Sequence, residues 1–94
     1  MKVYISGKIT GNPFYKSDFQ EAEEEMKEAG HEVVNPVKVC PEGCCSTYKE
    51  YIDNDMEHLA TCDAIYMLRG WRKSPGARLE HQYAQITGMW ITYQ

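Results

Sequence analysis

The chain has 94 residues, 43% hydrophobic and 26% charged, which fits one folded domain over residues 1–94 and excludes both a second domain and a disordered segment. A net charge of −4 argues against a broad nucleic-acid-binding face, so no nucleic-acid polymer is expected as partner. No apolar run approaches the roughly 20 residues that cross a bilayer, and residues 2–6 are too short for a signal-peptide core; no membrane contact and a cytoplasmic location are expected.

Residues 3–6 read as a first strand ending at Gly7, and the following loop to Pro13 carries two glycines and a proline. Apolar residues Phe19, Ala22, Met26 and Ala29 at near-helical spacing predict a helix that stops at Gly30. Residues 32–35 predict a short second strand closed by Pro36, and 37–46 a surface loop. Thr47 and Glu50 form a capping-box pattern that opens a second helix running to about Ala60. Residues 64–68 form a wholly apolar strand, and Ser74-Pro75 supplies the N-cap and first turn of a third helix with the apolar stripe Leu79, Tyr83 and Ile86. A last strand is expected over 89–93. Strands alternating with helices predict a three-layer α/β/α fold, flavodoxin-like or Rossmann-like, with a parallel sheet of about four strands and the ligand at their carboxyl ends.

Four cysteines, Cys40, Cys44, Cys45 and Cys62, are compatible with two disulfides, a zinc site or reduced thiols. The adjacent pair Cys44-Cys45 lacks the two-residue spacer of zinc knuckles, so reduced thiols are preferred and no metal is expected. Cys62, between a helix and a strand, reads as a small core residue.

Three features carry chemistry. The second helix has the stripe Tyr48, Tyr51, Ile52, Met56 and Leu59, and Asp55 lies inside it. A buried carboxylate without a partner costs several kcal/mol, so Asp55 either meets an N–H or an arginine or faces a cavity. Arg69, Arg72, Lys73 and Arg78 concentrate positive charge just before and within the start of the third helix, where an anion such as phosphate is favoured near Ser74; a solvated loop explains the same composition. Glu80 sits just off the apolar stripe of that helix and by itself reads as an exposed flank residue.

Taken together, Asp53-Asn54-Asp55-Met56, Cys62-Asp63-Ala64-Ile65 and the run from Ser74 through Gly76, Arg78, Glu80 and Ala84 resemble, in order and spacing, the signature stretch of nucleoside 2-deoxyribosyltransferases and 2'-deoxynucleoside 5'-phosphate N-hydrolases. The start of the chain, Val3-Tyr4-Ile5-Ser6-Gly7-Lys8-Ile9-Thr10-Gly11, resembles the first strand and loop of that superfamily, which line the sugar and, in the hydrolases, the 5'-phosphate. The chain is most similar to short uncharacterised phage and bacterial members with an S-G-K-I-T-G start and a G-A-R-L-E-H helix.

The resemblance implies a reaction at the N-glycosidic bond of a (deoxy)nucleotide or (deoxy)nucleoside, without a cofactor, with Glu80 as nucleophile and Asp55 assisting the leaving base. Tyr4 is expected to orient Glu80 by a hydrogen bond, since both lie near the strand ends. Ser6, Gly7, Lys8, Ile9, Thr10, Ser74, Gly76 and Arg78 are expected to contact substrate, and Trp71 to stack on a base or cover a subunit contact. Ser74 stands where the nucleotide hydrolases carry serine. Thr10 replaces a phosphate-binding arginine of those hydrolases, which leaves Lys8, Arg72 or Arg78 to grip a phosphate. The resemblance also implies a homodimer or higher oligomer. The competing readings are a catalytically silent nucleotide-binding module and a small protein-interaction module of the same fold.

Overall fold

The computed structural model describes residues 1–39 and 47–94; Cys40, Cys44 and Cys45 lie outside them. The elements in chain order are β1 (Lys2–Ser6), α1 (Tyr15–Glu28), β2 (Glu32–Val34), α2 (Pro36–Val39), α3 (Tyr48–Leu59), β3 (Ala64–Met67), a 3-10 turn (Trp71–Lys73), α4 (Pro75–Thr87) and β4 (Trp90–Tyr93). The strands form one parallel sheet in the order β2-β1-β3-β4. This is the α/β architecture that the alternation of patterns predicts.

Alternation along β1 and β3 splits the core in two. Val3, Ile5, Ala64 and Tyr66 turn to one face and pack with Phe19 and Ala22 of α1. Tyr4, Ile65 and Met67 turn to the other and meet Leu59 of α3 and Ala77 and Ala84 of α4. Among the described residues α1, with Val37 of α2, therefore covers the first face, and α3 and α4 cover the second. Cys62 is half-buried in the second core as a free thiol, and burial pushes its pKa up. Among the described residues no helix is long and apolar enough to cross a membrane.

The capping pairs sit where the sequence puts them. Thr47 accepts a hydrogen bond from the Glu50 N–H at 3.1 Å, and Ser74 accepts one from the Ala77 N–H at 3.2 Å with Pro75 in the first turn. Two expectations are corrected. Residues 36–39 form the short helix α2 instead of opening a loop, because the Asn35 side chain accepts from the Val37 N–H and its carbonyl accepts from Lys38 and Val39. Of the stripe Leu79, Tyr83 and Ile86, only Tyr83 packs against the core. Leu79 is 42% exposed and Ile86 76% exposed, whereas Ala77, Glu80 and Ala84 face the sheet. The two alanines are the reason: small side chains let the helix axis approach the strands closely, and Glu80 lies on the same face between them.

Candidate active site

The carboxyl end of β1 presents Tyr4 and Ser6 on the same face, because residues two apart in a strand point the same way. Both reach Glu80. The Tyr4 hydroxyl donates to Glu80 Oε2 at 2.6 Å, and the Ser6 hydroxyl donates to Glu80 Oε1 at 2.6 Å. Each carboxylate oxygen thus has its own donor, and the side chain is fixed in orientation while only 6% of the residue is exposed.

Burial dominates the electrostatics. It pushes the Glu80 pKa up to about 7, against the two hydrogen bonds, which favour the charged form; the Asp55 charge acts in the same upward direction as burial. Asp55, on α3, is raised to about 6 by burial, and it has no hydrogen-bond partner among the described residues. Burial, then the nearby Glu80 and Asp55 charges, raise the Tyr4 phenol well above its ordinary value. Tyr4 is accordingly a proton donor to Glu80 at all moderate pH values.

These groups line a cavity of about 730 Å³, within the range that holds a whole small-molecule ligand. It opens beyond the carboxyl end of β1, beside β3, where the chain leaves β1 toward one face of the sheet and β3 toward the other. Its walls include Gly7, Ile9 and Thr10 from the β1 loop, Tyr15, Lys16 and Phe19 from α1, Tyr51, Ile52 and Asp55 from α3, and Ser74, Gly76 and Glu80 at the start of α4. Gly7 permits this packing: a Cβ there would stand 3.0 Å from the Leu68 Cβ, so only a glycine lets the loop pass over the end of β3 undisturbed.

The expected site residues divide into two groups. Tyr4, Gly7, Ile9, Thr10, Asp55, Ser74, Gly76 and Glu80 line the cavity, and Ser6 joins it through Glu80. Lys8, Trp71 and Arg78 do not line it. The Trp71 ring lies 4.3 Å from the His81 ring and 6.2 Å from the Tyr93 ring, the Arg72 guanidinium sits 5.3 Å from the Trp71 ring, and His81 Nε2 is 2.6 Å from the Tyr93 hydroxyl. This aromatic cluster ties the 3-10 turn to α4 and the end of β4. Burial and then the Arg72 charge hold the His81 pKa below its ordinary value.

Sequence reasoning did not select Tyr15, Lys16 or Thr47, all of which line the cavity. The usable signal was positional: the first turn of the helix that follows a Gly-bearing loop lies at the carboxyl end of the preceding strand. Among the described residues no group of three or more His, Cys, Asp and Glu side chains is arranged to hold a metal ion.

A family model described as a domain of unknown function, DUF4406, matches residues 1–93. No curated protein matches the chain. Among solved structures, the fold is similar to that of a 2-deoxyribosyltransferase from the psychrotolerant bacterium Bacillus psychrosaccharolyticus, with a TM-score of 0.78 at 20% identity over 99% of this chain and 71% of the other.

Proposed function

The chain belongs to the DUF4406 family, and from that premise we propose that its cavity binds a 2-deoxyribonucleoside or its 5'-phosphate and that Glu80 attacks the anomeric carbon, cleaving the N-glycosidic bond. The observation that carries this reading is the Glu80 carboxylate, buried at the cavity wall with one hydroxyl donor on each oxygen and a second carboxyl, Asp55, lining the same space. A pair of carboxyl groups in one cavity is what displacement at an anomeric carbon with a covalent intermediate requires. The fold shared with a 2-deoxyribosyltransferase lends support.

In the proposed reaction a Glu80 oxygen forms a bond to C1' as the bond from C1' to the base nitrogen breaks, through an oxocarbenium-like transition state. The Asp55 carboxyl gives its proton to the departing base. A glycosyl ester on Glu80 results. Water then attacks C1' for hydrolysis, or a second base does so for transfer; the attacking group gives its proton to the Asp55 carboxylate, the ester bond to C1' breaks, and Glu80 is released as the carboxylate. Tyr4 and Ser6 keep Glu80 oriented and favour its ionised form against the cost of burial. The reaction draws only on groups of the chain and its substrate, so no cofactor is needed. The outward face of α4, with Leu79 and Ile86, is the surface through which two copies would pair.

The test is incubation with the four deoxynucleoside 5'-monophosphates and the four deoxynucleosides, with free base followed by chromatography. Base release is expected from the wild type, and Glu80→Gln should lower it by at least about 10³-fold. Release that is equal in both proteins removes Glu80 from the reaction. Binding without turnover across the whole panel would make the chain a nucleotide-binding module.

A further inference from the structure

Ten lysines and arginines occur in the chain, and only Lys16 lines the cavity. Arg69, Arg72, Lys73 and Arg78 are exposed and lie outside it, with Arg72 set against Trp71. The concentration of positive charge in the sequence is therefore not the positive charge of the cavity.

Lys16 is also unspent. Lys27 and Lys38 pair with Glu23, and Lys49 pairs with Asp53, whereas no carboxylate pairs with Lys16 among the described residues. Its ammonium rests 5.9 Å from the centre of the Tyr15 ring, a weak contact at an exposed position that leaves its hydrogen-bond donors available. The other charged groups of the cavity are the carboxyls Asp55 and Glu80, which repel an anion. An anionic ligand entering this space needs a cation on its wall.

Neutral donors line the cavity as well, two of them beside the loop and helix start. Thr10 contributes a hydroxyl, and Gly76 belongs to the first turn of α4, where a backbone N–H has no intrahelical carbonyl to bond. An ammonium, a hydroxyl and a helix-start amide are the donor types that hold a phosphate monoester. A free nucleoside offers its 5'-hydroxyl in that place and has no use for the charge.

We propose that Lys16 is the specificity-determining residue that selects a 5'-phosphorylated nucleoside over the free nucleoside, by placing its ammonium on the 5'-phosphate beside Thr10 and Gly76. The inference rests on the glycosidic reading for the identity of the ligand. It assigns the phosphate grip to α1, and not to the arginine-rich segment before α4.

The experiment compares kcat/KM for each deoxynucleoside 5'-monophosphate with that for its nucleoside in wild type, Lys16→Met, Lys16→Arg and Arg72→Met. Lys16→Met should lower the ratio of monophosphate to nucleoside by about 10- to 100-fold, mainly through KM for the monophosphate, as loss of a charge-assisted contact does. Lys16→Arg should restore most of the ratio, and Arg72→Met should leave it unchanged. A ratio unmoved by Lys16→Met, or one lowered by Arg72→Met instead, overturns the proposal. Calorimetric titration with the same ligand pairs separates this outcome from failure of the catalytic reading. If no base is released from any substrate, that reading fails, while tighter binding of monophosphates that disappears in Lys16→Met still upholds Lys16. Equal binding of monophosphate and nucleoside, or binding of neither, overturns it.

Discussion

The Tyr4 hydroxyl and Glu80 Oε2 are 2.6 Å apart although 76 residues separate them in the chain, so a buried hydrogen bond joins the middle of β1 to the second turn of α4. The bond opposes burial by favouring the charged carboxylate. Tyr4→Phe removes it without changing the ring that fills the core. The Glu80 pKa should rise above about 7, and base release at pH 7 should fall about tenfold as the ionised fraction shrinks. A pH–rate profile whose acid limb stays in place would show that Tyr4 does not act on Glu80 in this way.

Asp55 near 6 and Glu80 near 7 also set the shape of that profile. The proposed reaction needs one proton shared between the two carboxyls, on Asp55, with Glu80 ionised. Activity should pass through a maximum between about pH 6 and 7, falling below as Glu80 is protonated and above as Asp55 loses its proton. Initial rates measured from pH 5 to 9 test this.

Stability should respond to pH through the same residue. The folded-state pKa of Glu80 lies above the ordinary 4.5, so the folded chain holds this proton more tightly than the unfolded one. The resulting stabilisation is fully present below about pH 4.5 and is lost as the pH rises through about 7. Glu80→Gln keeps the shape and an acceptor for one of the two hydroxyls, the other hydroxyl turning to accept from the amide N–H, while removing the buried charge. At pH 8 it should be more stable than wild type by roughly 3 kcal/mol, at about 1.4 kcal/mol per pKa unit, with the difference vanishing near pH 4.5. Denaturant titrations of both proteins at the two pH values measure this; parallel pH dependence would mean that Glu80 is not the buried titrating group.

Gly7→Ala places a Cβ 3.0 Å from the Leu68 Cβ, and neither backbone can retreat without moving a strand end. Destabilisation of about 1–3 kcal/mol is expected, together with weaker ligand binding, because the displaced loop carries Ile9 and Thr10 into the cavity wall. Denaturant midpoints and nucleotide titration of the same variant give the two readings.

Ile86 is 76% exposed on the outer side of α4, with Leu79 two turns before it. Pairing of two copies through this face would bury both, and Ile86→Glu should weaken the pairing by more than about tenfold while leaving the monomer's stability within about 0.5 kcal/mol. Sedimentation equilibrium of the wild type and the variant measures the difference. A wild type that is monomeric at all concentrations removes the pairing.

The sequence by itself determined the frame. Strand and helix patterns alternate with periods of 2 and 3.6, the caps at Thr47 and Ser74 mark where helices begin, and the run at Ala64–Met67 is apolar enough to lie between two layers. These are local properties, and local geometry decides them. Asp55 was legible for a related reason, since a carboxylate inside an apolar stripe is an inconsistency visible without any partner. Glu80 was not. Amphipathic periodicity favoured Leu79 and Ile86 as the buried face of α4, and only the packing of Ala77 and Ala84 against the sheet turned Glu80 inward to Tyr4 and Ser6. Likewise the arginines near α4 stood out by composition, while Lys16 reached the cavity because α1 begins at the carboxyl end of β1. Which face of a helix is covered, and which of several like charges meets a ligand, depends on contacts between residues far apart in the chain. Those contacts exist only once the layers have packed.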